Sequence, residues 1–171
     1  PSTVPGSASP PPTASAVESG GGQPSPTALA GDPLHGLVLR DVRDGTEFTL
    51  GQLAADKPVL LEAMAIWCTN CRAQMHRVVE AHRMVDFHSV GVDVDPSELA
   101  GDLKAYVEAQ GFDWPFVMAD AELATLLRQH DSGFLFPPNT PMLLLLPDGS
   151  VRPLDFGGYS VDELVAEISG G

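Results

Sequence analysis

The run Val59-Leu60-Leu61-Glu62-Ala63-Met64 constrains this chain more than any other segment. Side chains alternate between the two faces of a strand, and here both faces are apolar apart from the carboxylate of Glu62. Such a strand must be covered on both sides, which is the situation of a central strand in a sheet layered between helices. A helical pattern follows from Cys68 to about Val85, with Met75, Val78, Val79 and His82 on one side. His88–Val94 reads as the next strand, so the three segments make a β-α-β unit.

The flanking segments extend this pattern. Leu37–Val42 and Thr46–Leu50 are short β-like runs around Asp44-Gly45, a hairpin turn signal. Asp95-Pro96-Ser97-Glu98 has the form of a helix start, with Asp95 as cap, Pro96 in the first turn and Glu98 closing a capping box. Gly111 ends that helix, Pro115–Met118 is a short strand, and Asp120 caps a helix running to about Asp131. Met142–Leu146 is a strongly apolar strand, Pro147-Asp148-Gly149 a turn, and Val151–Leu154 its antiparallel partner. Ser160-Val161-Asp162-Glu163 is a second capping box and opens the last helix. The expected fold class is α/β, a mixed central sheet flanked by helices and joined by right-handed crossovers. No internal repeat is evident.

Residues 1–32 differ in kind. Eighteen of them are Pro, Gly or Ser and none is Lys or Arg. Such a segment cannot bury enough apolar surface to offset its ordering entropy, so a disordered tail or tether is expected over 1–32 and one domain over 33–171. The chain opens on Pro1 rather than Met, so a segment removed by processing is expected ahead of it, along with any signal peptide or anchor. No apolar stretch approaches the roughly 18 residues a membrane span requires. Nine basic against 23 acidic residues give a formal charge of −14. That field repels phosphate backbones and anionic headgroups, which argues against nucleic acid as a partner.

The only two cysteines stand three apart in Trp67-Cys68-Thr69-Asn70-Cys71, where the apolar strand gives way to the helix. Free N–H groups and the positive dipole end at a helix start stabilise a thiolate, the form that attacks disulfides. Cys68, in the first turn, is expected to be partly exposed, with a lowered pKa, and to act as nucleophile. Cys71, one turn further in, is expected to be buried and to act as the resolving thiol. A purely structural bridge over so short a loop would remove little chain entropy. A zinc site would need two further Cys or His ligands nearby, and His35, His76, His82, His88 and His130 supply no such pair. Haem attachment would need His where Arg72 stands, and a soft-metal MxCxxC pattern would need Met in place of Ile66. His76, His82 and His88, with Met75 and Met84, raise a copper reading, but spacings of six do not share one helix face well. No metal and no cofactor beyond a Cys68–Cys71 redox disulfide is expected.

Glu62 shares its strand face with Leu60 and Met64, a face expected to lie under a helix. Burial disfavours the carboxylate, so its pKa should rise toward neutrality and suit proton exchange with the thiols.

From Val59 to Cys71 the chain resembles the active-site segment of the thioredoxin superfamily: strand, Trp, CxxC, long helix. Buried carboxylates occur in that superfamily six residues before the first cysteine, where Glu62 stands. Thr140-Pro141, followed by Met142–Leu146 and Asp148-Gly149, is similar to its cis-proline strand and turn. The resemblance implies a cis Pro141 facing the cysteines, Thr140 close to Cys68, and a substrate peptide extended along the adjacent backbone. Trp67 would shape the same surface. Thr69-Asn70 occupies the dipeptide that tunes redox potential in the family, where reducing members usually carry Pro in place of Asn70. The P-x3-[TS]-x2-C pattern of peroxidatic relatives is absent, with Ala65 where its small polar residue would stand.

The N-terminal hairpin and a central αβ insert over Val94–Leu127 resemble the extracytoplasmic TlpA and ResA branch, over roughly residues 34–168 in all. That resemblance implies a periplasmic or cell-envelope reductase, in cytochrome c or metal-site protein maturation, with protein disulfides as substrates and a membrane electron carrier as donor. A monomer is expected. An oxidant of the same fold and a copper-binding assembly factor remain the alternatives.

Overall fold

The computed structural model of the chain describes residues 1–3 and 31–170. The tail inferred for 1–32 therefore lies almost entirely outside the described residues.

All six residues of Val59–Met64 (β3) are buried, and β3 is the middle strand of a five-stranded sheet. To one side it pairs in parallel with His88–Asp93 (β4), which pairs in parallel with Phe116–Met118 (β5). To the other it pairs antiparallel with Met142–Leu145 (β6), itself antiparallel to Val151–Pro153 (β7). The sheet is mixed, as the sequence pattern requires. Val38–Arg40 (β1) and Glu47–Thr49 (β2) form a separate hairpin turned at Gly45.

Alternation along β3 divides the core in two. Leu60 and Met64 join a cluster with Cys71, Met75 and Val78 of Thr69–Ala81 (α2), Leu103 and Val107 of Ala100–Gln110 (α3), and Leu164 and Ile168 of Val161–Ser169 (α5). Leu61 and Ala63 face the other way, toward Leu50 of Leu50–Leu53 (α1) and Leu123 and Leu127 of Ala121–His130 (α4). Helices therefore cover both faces. β4 is packed so closely that a side chain on Gly91 would run into the Phe116 ring, which explains a glycine mid-strand.

Most helix signals hold. Asp120 caps α4 by accepting from Leu123 N–H, Ser160 and Glu163 form the expected capping box on α5, and Gly111 ends α3 in the left-handed conformation. Two expectations are corrected. Leu50 starts α1 instead of ending a strand, because Thr49 and Gln52 make a capping box there. Helix α3 begins at Ala100 rather than in Asp95–Glu98, with Leu99 at its cap position and no side-chain cap bond. The carboxylates expected to cap it are committed elsewhere: Asp95 to Ser97 and Trp67, Glu98 to the backbone of Ile66.

Candidate functional site

Helix α2 begins at the C-terminal end of β3, and Cys68 is its N-cap residue. Its sulfur turns back over the first turn and accepts the Cys71 N–H at 3.1 Å, satisfying one of the free donors of the helix end. Cys68 and Cys71 are joined in a disulfide with Cα atoms 5.4 Å apart. Both are buried, and Cys68 at 3% exposure corrects the expectation of a partly open sulfur. The inward turn of the cap is the reason. Trp67, by contrast, is 55% exposed, and its indole N–H donates to Asp95 Oδ2 at 2.7 Å.

Among the groups facing the pair are backbone carbonyls of a segment that the sequence reading passed over. Cys71 Sγ lies 3.1 Å from the Pro137 carbonyl oxygen, an acceptor ready for the thiol once the bridge is reduced. Asn70 Nδ2 donates to the Pro138 carbonyl oxygen at 3.4 Å. The short 3-10 turn Pro137–Asn139 thus contacts the CxxC segment, with Thr140 and Pro141 directly behind it. The Pro137-Pro138 dipeptide is the signal that could have marked it, since paired prolines fix a carbonyl-rich turn with no N–H to donate.

The Thr140–Pro141 bond is trans, because no cis peptide occurs among the described residues. This corrects the expectation of a cis Pro141. The change of direction is made by Thr140 itself, in the left-handed region at φ 49° and ψ 56°. For a β-branched residue that conformation costs on the order of 1–3 kcal/mol. Thr140 is buried, with its N–H bonded to the Pro137 carbonyl and its hydroxyl to the Asn139 carbonyl. The Pro141 carbonyl accepts from Ala63 N–H, which ties the segment to β3.

Glu62 lies on the face of β3 beneath α2, lining a small enclosed space with Met75, Val78, Ser89 and Trp114. Neither carboxyl oxygen has a hydrogen-bond partner in the protein, and burial pushes its pKa from 4.5 up to about 8. At neutral pH the protonated acid therefore predominates, with a minor carboxylate form in equilibrium with it. The histidines make contacts of their own. His76 leans on Phe112, while His82 stacks on Phe87 and meets Ser89 Oγ at 2.8 Å. His88 faces Asp56. Among the described residues no group of three His, Cys, Asp or Glu is placed to hold a metal ion. None of their helices is long and apolar enough to cross a membrane.

No protein-family model matches the chain, and no curated protein matches it in sequence. Solved structures do. A thiol:disulfide interchange protein of the thioredoxin family from Chlorobium tepidum TLS superposes with a TM-score of 0.64 at 21% identity, over 78% of this chain and 91% of that one. A secreted Mycobacterium tuberculosis disulfide oxidoreductase homologous to E. coli DsbE gives 0.62 at 17%, over 79% and 96%. A SCO1/SenC family lipoprotein from Bacillus anthracis str. Ames gives 0.56 at 15%, over 78% and 91%. At these identities the likeness establishes the fold, and the fold is that of thioredoxin.

Proposed function

We propose that this thioredoxin-fold chain is a thiol–disulfide oxidoreductase acting on protein disulfides outside the cytoplasm, as a reductase of the TlpA and ResA type. The observation that carries the reading is the Cys68–Cys71 disulfide at the N-terminus of α2, with the Cys68 sulfur in the cap position. Reduction of the bridge leaves a sulfur where helix donors stabilise its anion.

The Cys68 thiolate attacks one sulfur of a client disulfide, forming a mixed disulfide and releasing the first client sulfur as a thiolate. Cys71 gives up its proton, for which the carboxylate form of Glu62 is the proposed acceptor, and attacks the Cys68 sulfur. The second client thiolate leaves, and the two client thiolates take up two protons, one originating at Cys71 and the other from solvent. The client gains two electrons and two protons, and the Cys68–Cys71 bridge is remade. A dithiol donor, for which a membrane electron carrier is the fitting class, returns the pair to its reduced form. Trp67, standing exposed beside the cysteines, and the half-buried Pro138 and Asn139, with Thr140 and Pro141 buried behind them, would form the surface on which an extended client lies. The secreted and lipoprotein neighbours support an extracytoplasmic setting, in which the N-terminal tail serves as a tether.

The test is catalysed reduction of insulin by dithiothreitol, with a redox titration of the pair against glutathione. We expect a clear acceleration over the protein-free reaction and a potential below about −230 mV, on the reducing side of the glutaredoxins. A rate equal to the protein-free control contradicts the reading. A potential well above that value makes the protein an oxidant of the same fold.

A further inference from the structure

Three carboxylates of one short segment meet behind the thiol loop. Both Glu98 oxygens accept the Ile66 N–H, at 3.1 and 2.9 Å, across 32 residues of sequence. Asp95 accepts the Trp67 indole N–H and donates its own N–H at 3.0 Å to Asp93 Oδ1, at the chain end of β4. Ile66 and Trp67 are the two residues before Cys68. Asp93 is 1% exposed, and no protein donor reaches its Oδ2. The turn in which the Asp95 carbonyl accepts Glu98 N–H at 3.2 Å brings the Glu98 side chain, itself a carboxyl, back to Asp93. Two carboxyls can bond only by sharing one proton between them.

We propose that Asp93 and Glu98 form a proton-sharing carboxyl pair that clamps the Ile66-Trp67 segment, making both of them positioning residues for Cys68. The proposal rests on the thiol–disulfide reading for its purpose but not for its test. While the pair holds one proton, Glu98 keeps its grip on Ile66 N–H. When that proton leaves, two negative charges face each other in a buried corner and Glu98 is driven off the amide. Burial and the neighbouring Glu98 raise the Asp93 carboxyl from its ordinary value to about 8, which puts the release just above neutrality.

The other groups around Asp93 leave this to the pair. Strands β3 and β5 set Met64 and Met118 beside it in register, both uncharged. Tyr106 of α3, which acts on Glu98, has a buried hydroxyl without a partner and a pKa pushed up to about 12 by burial, so it stays neutral here. Arg72 of α2 and Glu62 of β3 act on Tyr106 along with Glu98, and Asp95 is bonded to Ser97 and Trp67. Among the described residues, Glu62 is the one other buried acid that titrates in the same range, and the experiment must remove it.

The test follows Trp67 emission against pH in the oxidised Trp114→Phe, Glu62→Gln protein, where neither thiols nor Glu62 titrate. A one-proton transition near pH 8 is expected, and the same protein carrying Asp93→Asn should lack it, since a neutral amide still donates to Glu98. Exchange of the Ile66 amide in the protein with both tryptophans intact gives a second measure should Trp114→Phe fold poorly. Between pH 7 and 9 it should accelerate at least tenfold beyond the base-catalysed trend, and Asp93→Asn should abolish the excess. A transition that survives Asp93→Asn, or a parent protein with none, overturns the proposal. Neither readout depends on turnover, so an enzymatically inert protein could still show the clamp, and an active one could lack it.

Discussion

Cys71→Ser will accumulate mixed disulfides with client proteins, whereas Cys68→Ser will not. The asymmetry follows from where the sulfurs sit. Cys68 occupies the cap of α2 and receives the helix donors, while Cys71 lies inside the first turn, fully buried against the Pro137 carbonyl. A client sulfur therefore bonds to Cys68, and only Cys71 is placed to displace it. Both substitutions should bring insulin reduction down to the uncatalysed rate, because each removes a sulfur the cycle needs. Non-reducing gels of cell-envelope extracts, resolved again after reduction, read the outcome. Equal trapping by the two variants would contradict the assignment of roles.

The second large effect belongs to Glu62. Its ordinary value of 4.5 rises to about 8 in the folded protein, so the folded state holds a proton that the unfolded chain has lost over that interval. Stability therefore falls as pH climbs from about 4.5 to 8, because the native state binds the extra proton. At about 1.4 kcal/mol for each pH unit between the two values, the loss reaches on the order of 5 kcal/mol, an upper figure for a site that can relax. Glu62→Gln keeps the shape without the titration. Urea unfolding should show it comparable to the parent near pH 4 and several kcal/mol more stable at pH 8.5. Its catalytic rate should fall by about 10²-fold near neutrality and, in an Asp93→Asn background, lose the pH dependence centred near 8. A parallel stability difference at both pH values, with unchanged turnover from pH 6 to 8, would remove Glu62 from the proton pathway.

Local signals made much of this fold legible in the sequence. Val59–Met64 is buried throughout because both its faces are apolar, and the caps at Asp120 and Ser160 act on their own helices through neighbours three residues away. The cysteine pair at a strand-to-helix junction needed no tertiary information either. Features set by distant partners were not legible. Asp95–Glu98 has every local mark of a helix start, yet contacts with Ile66 and Trp67 claim its carboxylates and move the helix on to Ala100. The approach of Pro137 and Pro138 to the cysteines spans more than 60 residues of chain, and no period or spacing announces it. A trans Pro141 behind a left-handed Thr140 is likewise a decision of the packed molecule. The burial of Asp93 is not legible either, because in the sequence one carboxylate at a strand end looks like any other solvated residue.

The rate of Cys68 alkylation by iodoacetamide, followed against pH in the reduced Cys71→Ser protein, tests the central claim most directly. A thiolate stabilised at the start of α2 predicts a rate that reaches half its plateau below pH 7, within the range of thiols at helix N-termini. A rate that keeps climbing to a midpoint near 8.5, the behaviour of a free cysteine, would contradict it.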